Sequence, residues 1–238
     1  MRGTFLKIVM YALLGGWFLA VVLPLLWVGL SSLRSSEEFV QNPFGIPWLF
    51  TGTPEGSSVD AWAAVKTNYT KAWVESNFSR FFWNSVLVTS CSLIGILSLG
   101  SMAAYVLARF PFRGSKAMYL YFISGMMIPA QLLLVPLFFQ FGTLSEWGSM
   151  ALEPFGLEFQ LHNSRFGLIV LYIALSLPFT ILVLTGFFKS IPESLREAAI
   201  IDGCTEFQAF WHVMLPLARP GIISAAIFNF IGLWNEYL

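Results

Sequence analysis

Charge is what this chain has least of. Asp, Glu, Lys and Arg make up 11% of its 238 residues, 13 acidic against 13 basic, for a formal net charge of zero. That balance excludes both the global basic field that nucleic-acid binding draws on and the acidic excess of a disordered tail. Cysteine is scarcer still. Two residues cannot build a disulfide framework, and Cys91, inside an apolar run, and Cys204, inside a polar one, show no metal-ligand spacing. The two histidines, His162 and His212, both fall in polar stretches, without the serine-histidine or paired-carboxylate arrangement that catalysis inside a membrane requires. No Gly-x-x-x-x-Gly-Lys-Ser/Thr stretch occurs, so there is no nucleotide-binding loop of that kind.

What the chain has instead is apolar bulk: 57% hydrophobic residues, 17% aromatic, and a mean hydropathy of +0.72. A soluble domain of this length cannot hide so much apolar surface, which makes the chain an integral membrane protein. A hydrocarbon core of about 30 Å needs about 20 apolar residues in a helix. Segments 8–30, 81–108, 117–142, 166–188 and 217–238 meet that need. Each is expected to be helical, because lipid offers no partner to an exposed backbone amide. The first outlasts a secretory h-region of about 7–15 residues and lacks a small-x-small cleavage site, so it reads as a retained anchor. The expectation is one transmembrane domain over 1–238, an all-α polytopic bundle, with an outer loop at 31–80 and an inner loop at 189–216.

Lysine and arginine set the orientation, since cytoplasmic loops hold an excess of them near helix ends. Arg2 and Lys7 precede the first span, Arg109, Arg113 and Lys116 crowd the link after the second, and Lys189, Arg196 and Arg219 flank the fourth and fifth. These positions share one side if every span crosses once. The N-terminus and the 189–216 loop are therefore predicted to be cytoplasmic. On the other side the 31–80 loop, with Pro43, Pro47 and Pro54, reads as irregular with one short helix near 62–73. Asn68-Tyr69-Thr70 and Asn77-Phe78-Ser79 match the glycosylation sequon, a weak pattern. Glu153, Glu158 and His162 in the second outer loop fit no standard metal spacing, and a solvated loop is the expectation there.

The inner loop is the longest polar gap between strongly apolar segments. Pro192 suits a first-turn position, and Glu193 and Glu197 put negative charge near the positive end of a helix dipole. Ala198 and Ala199 leave a shallow patch that lets another surface approach the backbone, and Gly203 after Asp202 is a helix stop. Thr205 with Gln208 has the spacing of a capping box opening a second short helix. Its Phe207, Phe210, Trp211 and Met214 form an apolar stripe expected at the membrane interface, and Leu215-Pro216 closes the element. Composition alone leaves a merely capped amphipathic loop open as an alternative.

The full pattern, Glu197-Ala198-Ala199, Gly203, Val213 and Leu215-Pro216, resembles the coupling loop of binding-protein-dependent ABC importer permeases. Gly186-Phe187-Phe188-Lys189-Ser190-Ile191-Pro192-Glu193 ahead of it resembles the carbohydrate-uptake, maltose-type branch, as do Asn84-Ser85, Ala104-Tyr105, Met127-Ile128-Pro129 and Trp234-Asn235-Glu236. Val213 stands where the motif often has Ile, and Cys204 where many members have Ala. The resemblance implies a type I importer permease of six spans, five of them in this chain and the last missing from it. It further implies a bacterial or archaeal cytoplasmic membrane and import of a sugar or oligosaccharide. The implied partners are a homologous permease, two ATPase subunits that hold ATP and magnesium, and an extracytoplasmic solute-binding protein. Glu193, Glu197, Ala198, Ala199, Asp202, Gly203, Leu215 and Pro216 are then the ATPase-coupling residues.

Polar groups inside the spans are the candidates for a solute pathway, because an ionisable group in lipid is costly and faces the bundle interior. Glu236, Asn235, Asn229 and Gln131 are those residues; interhelical hydrogen bonding is the competing reading. A secondary transporter of a small polar solute is the alternative function, and it needs several membrane-embedded carboxylates where only Glu236 is available. No catalytic residue, metal ligand or cofactor of its own is expected.

Overall fold

In the computed structural model, which describes residues 2–54, 60–153 and 160–236, the described residues form helices and connecting turns without a strand. The chain divides into two compact units, Met1–Phe82 and Trp83–Leu238.

The first unit opens with α1 (Arg2–Ser32), a long helix whose apolar side chains are exposed along its length. Beyond it the described residues form several short helices where an irregular loop with one short helix was expected. They are α2 (Ser36–Gln41), α3 (Trp48–Thr51) and α4 (Ala61–Thr70), which runs into a π turn over Lys71–Glu75. The helix expected near 62–73 corresponds to this last pair. Ser35 and Asp60 cap α2 and α4 through their side-chain oxygens, satisfying amides that a helix start leaves without partners. Asn68 of the sequon is structural here: its amide donates to the carbonyls of Ser32 at 3.2 Å and Arg34 at 2.7 Å.

In the second unit α5 (Phe78–Arg109) packs on α8 (Arg165–Ser190) along a seam of small residues. A Cβ placed on Gly100 would stand 2.6 Å from the Thr180 methyl, and one on Gly95 2.5 Å from Ile173 Cδ1, the end of a side chain that can turn aside, so the approach is tightest at Gly100. The region expected to be one span at 117–142 is two helices instead, α6 (Ser115–Gly125) and α7 (Ala130–Leu152). Pro129 stands at the break. It has no amide to donate and disfavours helical angles at Ile128; the chain leaves α6 through tight turns, Met126 to Ile123 and Met127 to Ser124, and restarts after the proline. Pro136 and Pro178 stay within their helices.

Past α8 come α9 (Glu193–Ile201), α10 (Glu206–Ala209), a π turn at Phe210–Met214, α11 (Leu215–Leu217) and α12 (Arg219–Trp234). The expected fifth span, 217–238, is shorter as a helix, and the chain bends by 73° between 206–217 and 219–234. Among the described residues three helices, at 4–32, 78–109 and 165–190, are long and apolar enough to cross a membrane, or four with the bent pair counted. Two apolar clusters hold the second unit together. One gathers Tyr105, Leu184, Phe188, Phe210, Met214 and Ala218, the other Val88, Ile96, Tyr172 and Leu233.

Candidate functional site

The polar loop after α8 folds as a helical bracket with both ends defined by local chemistry. Pro192 is the N-cap of α9, one place ahead of the first-turn position expected for it, and Glu193 stands in the first turn beside the free amides. At the other end Gly203 takes φ +90°. Its amide donates to Ile200 O at 3.0 Å and that of Cys204 to Ala199 O at 3.0 Å, the paired bonds of a Schellman stop. The expected capping box is present: the Gln208 amide donates to Thr205 Oγ1 at 3.3 Å, and the Thr205 amide to Gln208 Oε1 at 2.8 Å. The helix then widens into the Phe210–Met214 π turn. Pro216, whose ring would crowd the His212 carbonyl in a regular α-helix, follows directly.

An ion ladder joins the bracket to the bundle. The Arg109 side chain, 7% exposed at the end of α5, donates to Glu193 Oε2 at 2.6 Å, to the Phe188 carbonyl at 2.6 Å, and to the Ile191 carbonyl. One guanidinium thus caps the end of α8 and grips the start of α9, using the forked donors that Lys lacks. The other Glu193 oxygen accepts from Arg196 Nε at 2.5 Å, and Arg196 Nη1 reaches Glu206 Oε1 at 2.5 Å while its guanidinium lies 5.6 Å from the Phe110 ring centroid. Burial works to raise the Glu193 carboxyl, but the Arg196 hydrogen bond and the charges of Arg196 and Arg109 outweigh it and hold the group below the ordinary carboxylate value. The two carboxylates in turn raise Arg196. Sequence reading took Arg109 and Arg196 only as orientation signals; their rarity in so apolar a chain was the available clue.

An aromatic socket forms the second attachment. Phe210, 4% exposed, packs its ring 4.9 Å from that of Tyr105 and 6.3 Å from that of Phe188, and Met214 is fully buried in the same cluster. This corrects the stripe expected at the membrane interface: Phe207 and Trp211 are exposed, whereas Phe210 and Met214 point into the bundle. The residues diverge because the π turn, with Leu215 N–H bonded back to Phe210 O, changes the phase of the helix. Burying side chains of this size stabilises by about 1.5–3 kcal/mol each.

Of the residues expected to couple, Glu197, Ala198, Asp202 and Gly203 are exposed, and Glu193 is half-buried in the ladder. Ala199 is buried, and Leu215 and Pro216 are half-buried as the bracket returns to the bundle. Of the exposed residues of α9, Ser194, Glu197, Ala198 and Ile201 form one helical stripe, with Leu195 exposed beside it. Ile201, 84% exposed, completes that stripe and was not singled out from the sequence.

The four pathway candidates separate. Asn229 is buried and donates to Thr180 Oγ1 at 2.9 Å and to Ala225 O at 2.8 Å, a peg between α12 and α8. Asn235 is the exposed C-cap of α12, and Gln131 is exposed on α7. Glu236 alone of the four lines a cleft of about 680 Å³, which it shares with Asn84, Ser85, His162, Arg165 and Trp234. The cleft wall is pinned by Ser145 Oγ, which accepts from the amides of Leu161 at 2.9 Å and His162 at 3.2 Å. Glu158 lies outside the described residues, and Glu153 is exposed at the end of α7.

The pattern that defines the "binding-protein-dependent transport system inner membrane component" family matches residues 96–238, which contain the whole bracket. The chain belongs to this family. It is 43% identical over 230 residues to the diacetylchitobiose uptake system permease protein NgcG of Streptomyces coelicolor, covering 96% of this chain and 66% of that protein. To the probable starch degradation products transport system permease protein AmyC of Thermoanaerobacterium thermosulfurigenes it is 30% identical, covering 93% of this chain and 72% of the other. It thus spans about two thirds of the length of these permeases. A crystal structure of a bacterial ABC transporter involved in the import of the acidic polysaccharide alginate superposes with a TM-score of 0.75 at 23% identity, over 98% of this chain and 72% of that one. This likeness establishes the fold of an importer permease. The matched stretch contains the bracket along with α8 and α12.

Proposed function

We propose that this chain is a membrane-spanning permease subunit of an ATP-driven importer, and that its solute is a sugar or oligosaccharide. The carrying observation is the bracket: it is fixed to the bundle at α9 by the Arg109–Glu193 pair and at Phe210 by the Tyr105 socket, yet α9 presents an open stripe of Ser194, Glu197, Ala198 and Ile201. A soluble ATPase seated on that stripe moves the helices with the bracket, because closure of a nucleotide-bound dimer acts on a rigid element. ATP and magnesium belong to that partner. A homologous permease completes the pathway, and a solute-binding protein delivers the ligand from outside. The N-terminus and the bracket are both assigned to the cytoplasmic face, in keeping with the Lys and Arg distribution.

The sugar assignment draws on the named relatives, which include uptake systems for diacetylchitobiose and starch products. No observation favours the secondary transporter. The test is reconstitution of the full assembly in proteoliposomes. Uptake is expected to require ATP, and replacing Glu197 or Gly203 is expected to release the ATPase during purification. Uptake that proceeds without a nucleotide-hydrolysing partner overturns the reading.

A further inference from the structure

The segment after α1 is built inside out for a water-exposed loop. Arg34 and Glu38 are each 3% exposed. Arg34 donates to the carbonyls of Asn42, Pro43 and Gly45, and Glu38 accepts from the Trp48 amide at 2.7 Å. The two charged groups are 3.9 Å apart, and Pro47 is buried beside them. Outward go the hydrophobes: Val40 is 82% exposed, Phe44 81%, Ile46 67% and Phe50 63%. From Phe39 to Thr51 the sequence has no charged residue. Water rewards the opposite arrangement, since buried charges must be matched by fixed partners and exposed apolar area costs free energy.

We infer that this face is a membrane-interface anchor, seated at the boundary between headgroups and acyl chains of the leaflet reached by the C-terminal end of α1. The apolar face is continuous with that helix. Trp27 near its end donates its indole N–H to Pro43 O at 2.9 Å and stacks on Phe44 at 5.7 Å. The membrane-competent part of α1, 29 residues, is about 44 Å long against a hydrocarbon core of about 30 Å, so its last turns reach the interface. Trp27 is then an interfacial aromatic, with the stacked Phe44 at the same depth. Glu37 and Gln41, joined at 3.2 Å along one edge of α2, supply the polar border that such an element turns toward headgroups and water. The buried Arg34 network keeps the chain reversal rigid, so the apolar side chains are held outward rather than free to fold back.

The inference needs only that α1 spans the membrane, and stands apart from the identity of any ATPase or solute. Its test places a nitroxide at single cysteines, Val40→Cys, Phe44→Cys and Gln41→Cys, in the full chain carrying Cys91→Ser and Cys204→Ser. The protein is reconstituted in phosphatidylcholine–phosphatidylglycerol vesicles. Positions 40 and 44 are expected to favour collisions with oxygen over a water-soluble nickel chelate by several-fold relative to position 41. A nickel preference at both 40 and 44 overturns the anchor in favour of a water-facing or solute-binding-protein surface. Inaccessibility to both reagents overturns it in favour of coverage by another protein chain.

Discussion

Arg109 Nη1 lies 2.6 Å from Glu193 Oε2, joining the end of one long helix to the start of the bracket across 84 positions of sequence. The same guanidinium holds the last carbonyls of α8, so three chain ends meet on one side chain. Arg109→Lys keeps the charge but loses the fork, and cannot satisfy Glu193, Phe188 and Ile191 together. With Glu193 39% exposed, the loss is expected to be about 1–2 kcal/mol, below the cost of breaking a fully buried pair. Thermal unfolding in detergent checks the stability. In the reconstituted importer the solute taken up per ATP hydrolysed is expected to fall while the ATPase still co-purifies; an unchanged ratio shows that the ladder does not transmit motion.

The ladder also predicts a pH dependence. Glu193 is held below its ordinary value of 4.5, so its pairing contributes stability that is fully present above that value and is lost as pH falls through the lower, folded one. Melting temperatures measured from neutral pH downward are expected to converge for wild type and Glu193→Gln only once the pH drops below about 4.5. A gap between the two that stays constant through that range rules out this linkage.

Gly203 and Gly100 are expected to fail for different reasons. At φ +90° any Cβ strains the backbone, so Gly203→Ala is expected to cost about 1–2 kcal/mol and Gly203→Asn less. Gly100→Ala places its methyl 2.6 Å from Thr180 Cγ2, forcing α5 and α8 apart at about 1–3 kcal/mol. Thr180→Ser, which removes that methyl, is expected to rescue Gly100→Ala and leave Gly203→Ala unimproved. Double-mutant melting decides it.

Asn229, one of the expected pathway residues, serves as a peg to Thr180. Asn229→Ala is expected to lower stability by about 0.6–2 kcal/mol without changing the half-saturating solute concentration. A changed solute preference at unchanged stability returns Asn229 to the pathway.

The bracket was legible in sequence because its ends are local. Pro192, Gly203 and the Thr205–Gln208 pair each act on backbone within a few residues, and their spacing carries the information. The ladder was not, since nothing in the periodicity around Arg109 marks an acceptor on a helix far along the chain. The 117–142 run read as continuous because hydropathy does not register the amide that Pro129 lacks. The 31–80 loop was read by its prolines, while in its 34–45 stretch one arginine gathers the carbonyls of Asn42, Pro43 and Gly45. The pathway residues were chosen by polarity, which does not distinguish a hydrogen-bonded peg such as Asn229 from a group such as Glu236 that lines open space.

The turn at Ala218 makes a bell crank of the last helices. With its arms set 73° apart, a push that the proposed ATPase delivers along the short arm would swing the long one instead of sliding it. The fulcrum is a methyl group, 1% exposed, and the lever depends on that position staying small: a bulkier side chain would jam the joint while leaving both arms intact.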